Sequence, residues 1–221
     1  MKNIKLKPLL YFLLGVSLIF FTVVYKWQGH NQLNFAILIS ILPKVVTLNI
    51  LFIGLFSSVL WKWKIFKGWL VPFPNLNGTW KGHIQSTWVD PVTGHRPGPI
   101  PAILTIHQSF FRISCVMRTG EMTSHCITAE FILDEHDQIK RLLYSYDSNP
   151  IATVKDRSPQ HLGTMRFDII EKPKRKLKGE YWTGRKTTGE IEMSFWKKEK
   201  HDSYPDNLGE HPVSSVRQSK G

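Results

Sequence analysis

The chain has 221 residues, a length that gives room for one compact domain with additional segments. Lysine and arginine outnumber aspartate and glutamate by 29 to 17, and the net charge of +12 favours an anionic partner or a membrane surface. The 2 cysteines and 9 histidines lack the spacing of metal-binding motifs, which argues against a metal site.

Two apolar segments occupy the N-terminal part of the chain. Residues 8–25 carry no charge and reach the roughly 17 to 25 residues that a helix needs to cross a bilayer. The second span lies within residues 33–62, where Pro43 and a following lysine leave two alternatives: one kinked helix, or a helix of residues 45–62 after an interfacial piece. We therefore predict that residues 1–70 form a two-helix transmembrane hairpin. A cleaved signal peptide is less favoured, because no small-x-small cleavage site follows the first segment.

The distribution of lysines predicts the orientation of this hairpin. Three lysines precede the first span and three follow the second, whereas the loop between the spans contains only one: Lys2, Lys5 and Lys7; Lys62, Lys64 and Lys67; Lys26. By the positive-inside rule, both termini and the domain that follows are expected in the cytoplasm.

From residue 74 the apolar residues alternate with polar ones, which is typical of β-strands. The alternation predicts eight strands: 76–86, 100–107, 110–118, 122–133, 138–147, 161–171, 177–185 and 188–197. Eight short antiparallel strands within residues 74–199 fit an all-β domain that forms an up-and-down, lipocalin-like β-barrel, because closure removes the exposed edges of an open sheet. Alternation assigns bulky side chains to the interior, including Trp80, Phe111, Ile127, Phe131, Phe167 and Phe195. These side chains are sufficient to fill an eight-stranded barrel.

In up-and-down order, polar and aromatic residues gather at the barrel end opposite the chain entry. The candidate ligand-binding residues there are Tyr144, Tyr146, His161, Tyr181 and Arg185. The two long loops at this end add Trp88, His95, Arg96, Lys155 and Arg157. Aromatic faces can stack on nucleobases and guanidinium groups can bind phosphates, so the pattern indicates a nucleotide site. The alternative is an ordinary polar rim whose tyrosine hydroxyls reach water.

Other charged segments carry less specific signals. The basic turn of residues 172–176 either meets anionic lipid or is a solvated turn.

No Gly-x-Ser-x-Gly, P-loop or H-E-x-x-H motif is present, so we expect no enzymatic activity and no cofactor. Residues 200–221 have little apolar content and no periodicity, which predicts a disordered tail.

Two stretches are similar to known families. The sequence N-G-T-W, residues 77–80, resembles the Gly-x-Trp in the first strand of lipocalins and fatty-acid-binding barrels, which implies only a barrel. A wider pattern consists of two N-terminal spans, P-N-L-N-G-T-W-K-G directly after them, and L-K-G-E-Y-W-T-G-R-K-T-T-G-E-I before the final strand. This pattern resembles the two-transmembrane, β-strand-rich effectors associated with CD-NTases in bacterial CBASS antiphage operons.

The second resemblance implies a specific function. A cyclic dinucleotide made by the partner nucleotidyltransferase would bind the barrel, and the protein would form homo-oligomers through its membrane segments. Disruption of the bacterial inner membrane would then stop phage spread by abortive infection, with no nucleic-acid polymer as partner. Two alternatives stay open: a membrane-tethered, lipocalin-like carrier or sensor of an apolar small molecule, which needs a hollow barrel, and a scaffolding membrane protein whose barrel binds another protein.

Overall fold

The structure, a computed structural model, describes residues 4–30, 32–134 and 136–214. The chain divides into two compact units. One is helical and comprises the described residues up to Pro74 together with Ser109–Phe111, and the other is a β-barrel that begins at Asn75.

The helical unit contains two long antiparallel candidates for membrane spans, α1 (Leu6–Trp27) and α2 (Phe35–Ser58). Asn34 caps the start of helix α2, because its side-chain oxygen accepts a hydrogen bond from the Ile37 backbone N–H at 2.9 Å, and the helix continues through Pro43. With 22 and 24 residues and mean hydropathies of 2.1 and 2.2, both helices are long and apolar enough to cross a membrane.

The second unit is a closed antiparallel barrel of eight strands in sequential order. The strands are β1 (Gly78–Ser86), β2 (Ile100–Gln108), β3 (Ile113–Arg118), β4 (Met122–Asp134), β5 (Ile139–Pro150), β6 (His161–Ile170), β7 (Lys176–Thr183) and β8 (Thr188–Lys197). Each strand pairs with its neighbours in sequence, and β1 also pairs with β8. The prediction of an eight-stranded up-and-down barrel is confirmed.

The interior is filled rather than hollow. The largest fully buried side chains of the barrel unit include Trp80, Tyr144, Phe131 and Phe167. A small barrel of eight strands has just enough room for its own side chains, and these rings occupy that room.

Two side chains assigned to the interior lie outside it. Ile127 is 62% exposed, because the β4–β5 register shifts between Cys126 and Thr128 at a β-bulge, which turns the residue between them outward. Phe111 is also exposed, because it precedes β3, which begins at Ile113. The prediction was wrong for both residues.

Trp80 closes the end of the barrel at which β1 begins. Its indole N–H donates to the Leu76 carbonyl at 3.0 Å, and its ring packs edge-on against Phe195. The Arg175 guanidinium carbon lies 5.0 Å from the Trp80 ring centroid and 4.3 Å from that of Phe195. Arg175 also donates to the Asn75 carbonyl, so this member of the basic turn covers the tryptophan.

The segment after β8, residues 199–214, runs along the outside of the barrel, and we call it the C-terminal strap. The His201 backbone N–H donates to the Thr79 hydroxyl at 3.1 Å. The His201 carbonyl accepts hydrogen bonds from the Thr105 hydroxyl at 2.9 Å and from the Arg118 guanidinium at 3.1 Å. The strap therefore crosses β1, β2 and β3 in turn.

This arrangement differs from the expectation of a disordered tail over residues 200–221. Within the described residues the strap makes hydrogen bonds to the barrel and ends with Val213 buried. Composition could not reveal it, because these hydrogen bonds involve backbone groups and polar side chains and so leave no apolar period. The remaining residues of that expectation, 215–221, lie outside the described part of the chain.

Candidate functional site

A cavity of about 140 Å³ opens at the barrel end opposite Trp80, and we call it the mouth cavity. Its walls come from the last residues of β1, β3, β5 and β7 and the first residues of β2, β4 and β6, together with the β7–β8 turn. In an up-and-down barrel these positions meet at one end, which explains why residues far apart in sequence share the cavity.

Two tyrosines line the mouth cavity, Tyr146 of β5 and Tyr181 of β7. Each ring lies where the neighbouring strand has a glycine: a Cβ on Gly163 would overlap the Tyr146 ring, and a Cβ on Gly189 would overlap the Tyr181 ring. The Tyr181 hydroxyl donates to the Ser86 hydroxyl at 3.0 Å. The glycines therefore fix the positions of two aromatic faces at the entrance of the barrel.

Burial strengthens the preference of both tyrosines for the neutral form. It raises the pKa of Tyr146, with a smaller contribution from Tyr181, while Arg185 acts in the opposite direction. Burial also raises the pKa of Tyr181, opposed by its hydrogen bond to Ser86. Near neutral pH, the two phenols thus present uncharged rings and hydroxyl donors to the cavity.

Arg185, in the β7–β8 turn, supplies a positive charge to the same cavity. Its Nη1 donates to the Ser158 hydroxyl at 3.1 Å and to the Pro159 carbonyl at 3.4 Å. Among the described residues its buried Nε has no hydrogen-bond partner. Burial lowers the pKa of Arg185, whereas Tyr181 and Tyr146 raise it. A partly desolvated guanidinium with an unused donor is suited to accept an anion.

His161 stands beside this arginine at the start of β6. Its Nδ1 lies 3.0 Å from the Pro159 carbonyl, which can only accept, so Nδ1 carries the proton. Its unprotonated Nε2 lies 3.5 Å from Arg185 Nη2 and presents its lone pair to that nitrogen. Burial lowers the pKa of His161, opposed by the Pro159 hydrogen bond, and the Arg185 charge lowers it further. The imidazole is therefore neutral near pH 7.

A second charged cluster lies on the opposite wall, where the C-terminal strap ends. Glu121, in the β3–β4 turn, pairs with Arg157 and accepts a hydrogen bond from the Ser214 hydroxyl. His211 Nδ1 lies 3.2 Å from the same carboxylate oxygen. Arg157 also donates to Ser214 at 3.1 Å, and Val213 is buried nearby as part of the cavity wall.

The structure brings together most of the predicted site residues. The ones that line the mouth cavity are Tyr146, His161, Tyr181 and Arg185. Tyr144 lies one layer deeper: it is fully buried, its hydroxyl donates to the Met165 sulfur at 3.0 Å, and its ring centroid is 6.0 Å from that of Tyr146. Tyr144 therefore supports the cavity floor and is not part of its lining.

Sequence reasoning also placed loop residues at this end with mixed outcomes. Trp88 and Arg157 line the mouth cavity, whereas His95, Arg96 and Lys155 do not. It missed Glu121 and the strap residues His211 and Val213. A lone glutamate in a short turn and a segment without periodicity carry no pattern from which their meeting could be read.

Within the described residues, no group of three or more histidine, cysteine, aspartate or glutamate side chains could hold a metal ion. The mouth cavity instead combines flat aromatic faces, hydroxyl donors and two guanidinium groups. Stacking surfaces beside phosphate-binding groups are the features by which proteins hold nucleotides.

Residues 71–195 match the family model described as Cap15, cyclic dinucleotide receptor domain, and this match covers more than half of the chain. The chain belongs to this family. It is also 28% identical over 159 residues to CD-NTase-associated protein 15 of Staphylococcus schleiferi, an alignment that covers 72% of this chain and 81% of the relative. The resemblance stated from sequence patterns is confirmed.

Membership of the Cap15 family gives the barrel its role. The chain is a CBASS effector, and its barrel is a cyclic dinucleotide receptor domain. The matched residues include all of the barrel strands except the last two residues of β8.

Proposed function

We propose that the mouth cavity binds a cyclic dinucleotide, with Tyr146 and Tyr181 stacking on its bases and Arg185 binding a phosphate. The observation that carries this proposal is Arg185, which lines the same cavity as the two tyrosines and whose buried Nε has no hydrogen-bond partner among the described residues. Buried donors are normally paired, so an unpaired one at the rim of a cavity favours a missing anionic partner.

Ligand binding then drives assembly of α1 and α2 into homo-oligomers, disruption of the bacterial inner membrane and abortive infection. The support for this part is the pair of long apolar helices attached to a receptor domain of the Cap15 family. Both termini and the barrel lie in the cytoplasm in this proposal, because the basic residues flank the two helices on one side.

A lipocalin-like carrier of apolar molecules fits the structure less well. Such a carrier needs a hollow barrel, whereas the core positions of this barrel are occupied by large side chains such as Trp80, Phe131 and Phe167. The cavity at the mouth is also bordered by charged groups, which an apolar ligand would leave buried and unpaired.

The test is calorimetric titration of the full-length protein in detergent micelles with cyclic di-AMP, cyclic di-GMP and cyclic GMP-AMP. We expect one of them to bind, and Arg185→Ala to weaken its affinity about 10- to 100-fold, the range for one lost hydrogen bond to a charged group. Arg141→Ala is the matched control, because Arg141 pairs with Asp168 on the outer face of the barrel. Equal affinities for the Arg185 variant and the parent would refute the proposed site.

A further inference from the structure

The end of the C-terminal strap occupies one side of the mouth cavity. His211 and Val213 belong to the cavity wall, and Val213 is buried there. The strap is held at its beginning by the hydrogen bonds between His201 and Thr79, Thr105 and Arg118 described above. These attachments lie on the outer face of the barrel, so the end of the strap can leave the mouth while its beginning stays in place.

The contacts that Glu121 and Ser214 make at the mouth also neutralise the guanidinium of Arg157. Glu121 has a side chain only 7% exposed, and it pairs with Arg157 and accepts from Ser214. Arg157 in turn donates to the same serine hydroxyl at 3.1 Å. With its donors directed to the strap and to a carboxylate, this arginine presents little positive charge to a ligand.

The strap carries negative charge, as would a segment that competes with an anionic ligand for a basic surface. Between residues 201 and 214 it carries Asp202, Asp206 and Glu210 and no lysine or arginine, although the whole chain has a net charge of +12. These carboxylates lie outside the cavity lining, which includes His211 and Val213 of the strap, and they lower the positive potential that the basic barrel presents to a phosphate.

The size of the cavity indicates that it is partly closed. Its volume of about 140 Å³ lies below the roughly 300 to 1,000 Å³ of usual ligand pockets. Because His211 and Val213 form part of its wall, removal of residues 211–214 would enlarge the space beside Glu121 and Arg157.

We propose that the C-terminal strap is an autoinhibitory lid: it closes the mouth cavity in the resting protein, and the ligand displaces its end and takes Arg157 as a second phosphate-binding residue. This inference rests on the proposed function of the mouth cavity. Binding then includes the cost of opening, so the apparent affinity is reduced by the fraction of molecules whose mouth is open.

The first experiment is hydrogen exchange of the full-length protein in detergent, with and without the cyclic dinucleotide that binds. Without ligand, residues 203–214 should exchange more slowly than an unfolded chain, and ligand should accelerate their exchange. If residues 203–214 of the ligand-free protein exchange as fast as an unfolded chain, the strap is not docked and the proposal is overturned, regardless of the effect of ligand.

The second experiment compares two truncations by calorimetry. A chain that ends after Asp202 lacks the lid and keeps its attachment through His201, whereas a chain that ends after Ser214 keeps both and is the control. If the mouth is open in about one molecule in ten, loss of the lid should tighten binding about tenfold. The control truncation should bind like the full-length protein.

The outcomes separate the lid from the site itself. Equal affinity of the full-length protein and the lidless chain, or weaker binding by the lidless chain, would overturn the lid while the proposed function stands. If neither chain binds any of the cyclic dinucleotides although its barrel is folded, the proposed function is refuted, and so is the displacement of the strap by the ligand. If the lidless chain does not fold, the ligand-dependent exchange of residues 203–214 decides the question alone.

Discussion

The Tyr181 hydroxyl reaches across strand β8 to donate a hydrogen bond to Ser86 of β1 at 3.0 Å. In the sheet, Gly189 of β8 is paired with Tyr181 on one side and with Ser86 on the other. A side chain at this glycine would occupy the path of the tyrosine ring. The orientation of one proposed stacking surface therefore depends on a residue that itself has no side chain.

Gly189→Ala should displace the Tyr181 ring and break its hydrogen bond to Ser86. We expect a loss of about 1 to 3 kcal/mol in stability, as for other overpacked sites, and weaker binding of the cyclic dinucleotide. Calorimetric titration and thermal unfolding of the full-length protein measure both effects. Gly184→Ala is the control, because its new methyl group would meet only the Leu162 carbonyl, at an ordinary distance of 3.8 Å. Normal binding by Gly189→Ala would contradict the importance of this ring.

Ligand-induced assembly should depend on the mouth cavity. A shift from 1:99 to 99:1 between two states requires about 5.5 kcal/mol of differential binding, and a lost charged hydrogen bond removes about 1.5 to 3 kcal/mol of binding energy. Arg185→Ala and Tyr181→Ala should therefore stay unassembled at a ligand concentration that assembles the parent protein. Light scattering coupled to gel filtration in detergent gives the masses, with Arg141→Ala as the control. Assembly of both variants at the parental concentration would show that the mouth does not drive it.

Membrane disruption should follow from assembly. Full-length protein reconstituted into vesicles of phosphatidylethanolamine and phosphatidylglycerol should release an enclosed dye after the ligand is added to the side that the barrel faces. Arg185→Ala should release little dye at the same ligand concentration. Release that is equally fast without ligand would argue against signal-dependent disruption.

Arg175→Ala should weaken the closed end of the barrel without affecting the mouth. The guanidinium packs on Trp80 and Phe195 and donates to the Asn75 carbonyl. Loss of the cation–π contacts and one hydrogen bond should cost about 1 to 3 kcal/mol in stability, with ligand affinity unchanged. Thermal unfolding and calorimetry of the same samples test both parts, and Lys174→Ala in the same turn is the control. A loss of ligand affinity would show that the two ends are coupled.

Stability should fall in mildly acidic solution because partial burial in the folded barrel favours the neutral form of His161. Burial lowers its pKa in the folded barrel, so the unfolded chain binds more protons once the pH drops below the ordinary histidine value of about 6.5. The contribution of His161 is fully present above that value and is lost as the pH falls through the lowered pKa. The melting temperature should decrease from pH about 7.5 to about 5.5, and less so in His161→Gln. An equal decrease in His161→Gln would contradict this, and His83→Gln, on the outer face of β1, is the control.

The alternation of apolar residues was sufficient to predict the barrel, because each strand buries one face. It failed at Ile127, since an apolar residue is compatible with either phase and the bulge beside Cys126 has no signature of its own. The same alternation could place Tyr144 and Tyr146 on one face but not at different depths. Tyr144 proved to be a core residue below the cavity, whereas Tyr146 lines it.

The second wall of the site was beyond sequence reasoning for a different reason. Glu121 and His211 are separated by most of the barrel sequence and meet only because the strap crosses β1, β2 and β3. Their contact depends on three-dimensional placement that no local pattern encodes. By contrast, Arg157 and Arg185, which sequence reasoning placed at this end, both line the mouth cavity.

The pairing of the first strand with the last has a consequence for synthesis of the protein. β1 aligns with β8, for example through Gly82 and Met193, so the ring of strands cannot be completed until β8 has left the ribosome. The two apolar helices emerge long before that point. A nascent or prematurely terminated chain thus carries both candidate membrane spans but no closed barrel, so it lacks the mouth cavity to which we assign ligand binding.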